Sequence, residues 1–220
     1  MRHVEIRERA AEGPMVSSSP ILRPVWFLFI VSFVEGGAVM AVELVGAKLV
    51  GPFYGNSLYV WAAVLGLTLG GLTAGYFLGG LISRKYPCKR TLYAVVLASA
   101  VLVALMPSIG AAVMEATLNL ELRVGITLSC LAFLFPPLLC FGMVSPLIIR
   151  LVTTHDGAIG RAAGTVYAVS TVGGILATYV IAFHAIPEFG MYESLLATAA
   201  TLAFFPALYF SGIERRISGW

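Results

Sequence analysis

Apolar residues run almost unbroken through six stretches of this chain, roughly 24–50, 57–83, 91–114, 124–152, 162–187 and 191–213, with polar residues gathered between them. Each stretch reaches the roughly 20 residues that an α-helix needs to cross about 30 Å of hydrocarbon. Inside a bilayer a lone segment satisfies its backbone polar groups only as a helix. The pattern therefore predicts an all-α membrane protein with six transmembrane helices. Residues 24–213 form its one transmembrane domain, between a disordered cytoplasmic tail at 1–23 and a second cytoplasmic tail at 214–220.

Composition agrees: 59% of the 220 residues are hydrophobic and 11% charged, and the mean hydropathy is +0.93. A soluble domain of this size is far more polar. Lysine and arginine then set the orientation, because positive charge near span ends is retained in the cytoplasm. Arg2, Arg7, Arg9, Arg23, Arg84, Lys85, Lys89, Arg90, Arg150, Arg161, Arg215 and Arg216 fall on one side, and only Lys48 and Arg123 on the other. Both termini are expected in the cytoplasm, with the bilayer being a cytoplasmic (inner) membrane. This asymmetry accounts for the net charge of +3, so no nucleic-acid partner is implied. No apolar core with a small-residue cleavage site precedes Pro24, so the first span is expected to serve as its own targeting signal. Cys88, Cys130 and Cys140 form neither a disulfide framework nor a metal-ligand spacing.

The first span departs from the pattern. Fourteen Leu, Ile, Phe and Val residues between Val25 and Val50 favour insertion by about 6 kcal/mol, and two central acids cost about as much. Those acids are Glu35 and Glu43, with Lys48 just beyond them. An acid at this depth is by default a functional candidate. Glu35 is the deeper one and a candidate proton carrier; Glu43 and Lys48, near the outer boundary, are candidates for a structural or gating ion pair. On a regular helix Glu35 and Glu43 lie about 12 Å apart in height and about 80° apart around the axis. Glu43 and Lys48 are about 140° apart, so pairing requires the helix to loosen at Gly46 or partners on other spans. His184, near the outer end of the fifth span, completes the residues assigned to a substrate or ion pathway.

Small residues predict how the helices meet. In the second span Gly66 and Gly70, and Gly71, Gly75 and Gly79, recur at spacings of four; Gly173 and Gly174 anchor a similar strip in the fifth. Such strips let membrane helices approach closely. The stretches Thr68–Tyr76 and Thr171–Tyr179 share Thr, Gly, Gly, Ala and Tyr in register, as an inverted 3+3 repeat would leave. Helix breaks are expected at Gly36 and Gly37, beside Glu35, and at Pro136, Pro137, Gly142 and Pro146 in the fourth span. There is no dinucleotide fingerprint, P-loop, zinc-protease motif or nucleophile elbow. No cofactor, metal site or catalytic residue is expected.

Five ordered segments carry a family resemblance over residues 26–190. They are Glu43-Leu44-Val45-Gly46-Ala47-Lys48-Leu49, Tyr54-Gly55-Asn56-Ser57-Leu58-Tyr59, Phe135-Pro136 through Gly142-Met143-Val144-Ser145-Pro146-Leu147, Gly160-Arg161 with Tyr167 to Gly174, and Ile186-Pro187-Glu188-Phe189-Gly190. With the Gly-rich second span, these resemble the membrane domain of the fused major-facilitator/spermidine-synthase-like proteins. The resemblance implies a six-helix bundle like half of a major-facilitator transporter. It further implies a half-size transporter-like module that moves a small solute as a homodimer or beside another membrane subunit. The alternative it implies is a non-transporting membrane scaffold for a separately encoded soluble aminopropyltransferase-like enzyme. The sequence ends at Trp220, without the aminopropyltransferase-like domain of longer members, so no enzyme activity is expected of it. The chain departs from the family's patterns at Ser83 and Tyr86, where major-facilitator loops carry Asp and Gly, at Lys48 in place of Arg, and at Glu35 in place of a small or apolar residue.

Overall fold

A computed structural model describes residues 25–153 and 159–212, so the tails expected at 1–23 and 214–220 lie outside the described residues. Helices make up the whole described architecture, with no strand among these residues. They are α1 (Val25–Tyr54), α2 (Leu58–Lys85), α3 (Lys89–Thr117), α4 (Leu122–Phe133), α5 (Phe135–Val152), α6 (Ile159–Val180), α7 (Ile186–Phe189) and α8 (Met191–Phe210), with a π-type turn at Ile181–Ala185 between α6 and α7. Six helical segments are long and apolar enough to cross a membrane: α1, α2, α3, α5, the run from α6 through α7, and α8. α4 is a shorter apolar helix leading into α5. The turns are short, and Gly55 (φ 78°) and Gly190 (φ 89°) take the left-handed backbone that a side chain would strain.

The single run expected at 124–152 is divided at Leu134, where α4 ends and α5 begins with proline in its first turn. Pro136 and Pro137 carry no N–H to offer the carbonyls of Ala132 and Phe133, four residues back. The other expected breaks do not form. α1 runs unbroken through Gly36 and Gly37, and α5 through Gly142 and Pro146. A neighbouring helix occupies the space over Gly36 and Gly142, so these glycines serve close approach instead of bending.

α1 is the central helix, with 61% of its spanning window buried, whereas the fifth span is the most peripheral at 17%. Two pairs of helices pack most extensively, α1 with α6 and α2 with α5; α3 then packs on α8, α5 and α4. Aromatic contacts tie α8 in place, Tyr209 stacking on Tyr93 of α3 at 4.5 Å and Phe205 meeting Phe27 of α1 edge-on at 5.6 Å. Where α1, α3 and α4 converge, hydroxyls bond one another: Tyr54 with Thr117 at 2.6 Å and with Ser129 at 3.3 Å, and Thr117 with Ser129 at 2.9 Å.

Both major pairs rest on glycine. A Cβ on Gly75 would overlap the Leu139 carbonyl and come within 2.7 Å of the Gly142 Cα; one on Gly79 would come within 2.6 Å of the Met143 Cα. Gly71 meets Leu138 and Phe135 in the same seam. In the other pair, a Cβ on Gly36 would overlap the Ser170 carbonyl, and one on Gly173 the Phe33 carbonyl. Gly174 sits over Met40 and Gly36. Gly66 and Gly70, by contrast, face outward, with open space beyond Gly66 and only the edge of Phe135 near Gly70. Among the described residues, their expected strip therefore packs on nothing but the edge of Phe135.

Candidate functional site

Glu35 is buried where α1 crosses α6. The crossing is close because Gly36 and Gly173 remove the side chains that would hold the backbones apart. Two hydroxyls exploit that approach. Ser170 donates to Glu35 Oε2 at 3.2 Å, and Ser32, one turn earlier on α1, donates to the Val166 carbonyl at 3.1 Å. A carboxyl and two hydroxyls thus bridge α1 and α6 at adjoining levels, where unsatisfied polar groups would each cost several kcal/mol.

Tyr76 of α2 lies within electrostatic reach of Glu35. Its ring meets Tyr167 of α6 edge-on, centroids 6.3 Å apart. Both tyrosines are exposed on their outer sides. Glu35 is thus buried near a point where two partly exposed phenols meet, and among the described residues no lysine, arginine or histidine pairs with it. Chemically such a cluster can hold and release a proton, or receive a cation entering from the tyrosine side.

The other pathway residues lie apart. Glu43 is half-buried and Lys48 exposed, and no ion pair joins them among the described residues. The expected loosening at Gly46 is absent because Gly46 faces inward, its Cβ position 2.9 Å from Leu134 and 3.1 Å from Met106. The unbroken helix holds Glu43 and Lys48 about 140° apart. His184 is exposed on the π-type turn, and its Nδ1 lies 3.5 Å from Glu188 one turn on. Arg123 covers the ring of Tyr59 at 5.0 Å, and Tyr54 belongs to the hydroxyl triad.

Sequence reasoning missed Ser32, Tyr167 and the partnership of Ser170. Ser32 carried a signal, a hydroxyl three residues before Glu35 in an apolar span. Nothing local marks Ser170 as the residue opposite Glu35, because that pairing depends on how two distant spans are rotated. Among the described residues no group of three or more His, Cys, Asp or Glu side chains is arranged to hold a metal ion.

Six apolar spans, glycine-mediated crossings and a buried intramembrane acid define a multi-pass α-helical membrane protein residing in a lipid bilayer. No protein-family model, curated protein or solved structure matches the chain.

Proposed function

We propose that this chain is a half-size transporter-like module of the cytoplasmic membrane that moves a small solute, with Glu35 as the residue that takes up and releases a proton or cation. The observation that carries this reading is the buried acid of α1, held by one neutral hydroxyl at the crossing with α6, with the phenols of Tyr76 and Tyr167 nearby. A group that served packing alone would be replaceable by any residue of its shape.

The resemblance to the membrane domain of the major-facilitator/spermidine-synthase-like proteins supports the same reading, as does the pairing of spans one with five and two with four that an inverted repeat would produce. In this reading both termini are cytoplasmic, the protein is not an enzyme, and it works as a homodimer or with a second membrane subunit. Gly66 and Gly70, facing outward, are available to such a partner.

The test uses purified protein in liposomes under an imposed pH gradient, offered a panel of labelled amino acids, amines and sugars. Gradient-dependent flux of at least one solute, lost in Glu35→Gln and partly kept in Glu35→Asp, is the expected result. Flux that Glu35→Gln leaves unchanged removes the proton or cation role. Absence of flux together with stoichiometric co-purification of a soluble aminopropyltransferase-like enzyme replaces transport with the scaffold reading.

A further inference from the structure

A groove of about 850 Å³ lies between α1, α6 and α8, towards the end of the bundle that carries the Gly190 turn. Phe33, Ala38 and Ala41 line it from α1, Leu176 and Ala177 from α6, and Ala197 from α8. Its volume and its apolar lining with a few polar groups match small-molecule sites in general. Leu176, Val180 and Phe189 line the groove and are also exposed on the outside of the bundle, so it opens sideways at the depth of the spans. Ile181 and Ala185, in the wall, belong to the π-type turn, a distortion frequent at functional sites. The groove borders the α1–α6 crossing through Phe33, Gly37 and Gly173, but Glu35 itself is not among its lining residues.

Its polar groups are one-sided in chemistry. The hydroxyls of Ser194, Thr198 and Thr201 all donate within α8, to the carbonyls of Gly190 at 2.6 Å, Ser194 at 2.8 Å and Ala197 at 2.8 Å. Their protons are used, and only lone pairs face a ligand. Glu193, in the first turn of α8, adds a carboxylate at the mouth, and among the described residues no lysine, arginine or histidine lines the groove. The groove thus combines a long apolar trough with a polar end that accepts hydrogen bonds and carries negative charge. An amphiphile whose tail lies in the trough must bring donors and positive charge to that end; an anionic head would face an unpaired acid.

We infer that this groove binds one tail of a bilayer lipid whose head carries a primary ammonium group, seated against Glu193. The test incorporates the full chain into nanodiscs of equal parts phosphatidylethanolamine and phosphatidylglycerol, then identifies by native mass spectrometry the lipid retained after stepwise delipidation. About fivefold enrichment of phosphatidylethanolamine over phosphatidylglycerol is expected, the scale of one charge contact at a membrane surface. Glu193→Gln should abolish the preference without changing the amount retained, and Ala197→Phe, which fills the trough, should lower retention of both lipids. Retention in bulk proportions overturns the inference, as does a preference that Glu193→Gln leaves intact. High-yield cross-linking of two chains through Thr201→Cys also overturns it, since a second copy would then cover the groove.

Discussion

The two principal helix crossings use the same packing device for different ends. α2 meets α5 through Gly71, Gly75, Gly79 and Gly142, and the residues facing them are leucine, phenylalanine and methionine. α1 meets α6 through Gly36, Gly173 and Gly174, but there the close approach brings a carboxyl and two hydroxyls together: Glu35 with Ser170, and Ser32 with the Val166 carbonyl. In lipid, apolar helices gain nothing hydrophobically by touching, so both crossings draw on dispersion at short range. Buried Thr68 and Ser83 also lie on the inward face of α2, but among the described residues only the second crossing is bridged by side-chain hydrogen bonds, and polar groups at that depth are retained where something must be bound, moved or held. Glycine spacing in a membrane helix therefore reports closeness; the neighbours of the glycines report chemistry.

The largest expected effect breaks either crossing. Gly75→Val and Gly173→Val each push a side chain into a backbone carbonyl of the facing helix, and should cost about 3 kcal/mol, the upper part of the range for overpacking. Thermal unfolding followed by fluorescence size-exclusion chromatography should show both variants aggregating at temperatures where Gly66→Val, facing open space, behaves as wild type. Equal tolerance at all three positions would mean that the crossings are not tightly packed.

A smaller effect separates the polar crossing from the apolar one. Ser170→Ala removes the hydroxyl that donates to Glu35 and should lower stability by about 0.6 kcal/mol, typical of one interhelical hydrogen bond in a membrane. The same variant combined with Glu35→Leu should lose less than the sum of the two single changes, because the carboxyl and hydroxyl act on each other. Additive losses in chemical denaturation would show that they do not.

The smallest effect concerns which end of each crossing faces the cytoplasm, and Cys88 reports it from the turn between α2 and α3. Its thiol is exposed and contacts the Thr91 hydroxyl at 3.0 Å. Hydrogen bonding from the Thr91 side chain, then from its backbone N–H, holds the thiol below the ordinary cysteine range, by stabilising the thiolate. Maleimide labelling, which follows the thiolate, should therefore rise at lower pH in the wild type than in Thr91→Val. Cys130, buried, should remain unlabelled in the folded protein. A membrane-impermeant maleimide should leave Cys88 unmodified in intact cells and modify it in inverted vesicles; the reverse would invert the orientation expected from the basic residues.

How far the site was legible varied by residue. Glu35 stood out in the chain because an acid in an apolar span has an energetic cost that composition alone exposes. Its partner did not, since Ser170 sits 135 positions away among other small residues. The ion pair expected between Glu43 and Lys48 fails because Gly46 packs against Leu134 and Met106, leaving the helix no freedom to rewind. Near Pro136 and Pro137 the division falls at Leu134, since the missing N–H groups release carbonyls in the turn before them. The register that aligns Gly70 with Gly173 places one in the open and the other under Phe33.

By itself, the amino-acid sequence determined the six spans and the helical class. Hydrocarbon thickness and backbone hydrogen bonding act on each apolar stretch separately, so both properties are local. It also determined which residues are costly to bury. Tertiary structure decided which face of each helix turns inward, making Gly71, Gly75 and Gly79 a seam while Gly66 remained outside, and setting Ser170 opposite Glu35. A helix bears small residues around more than one side, and rotation about its axis is settled only by the surfaces it meets.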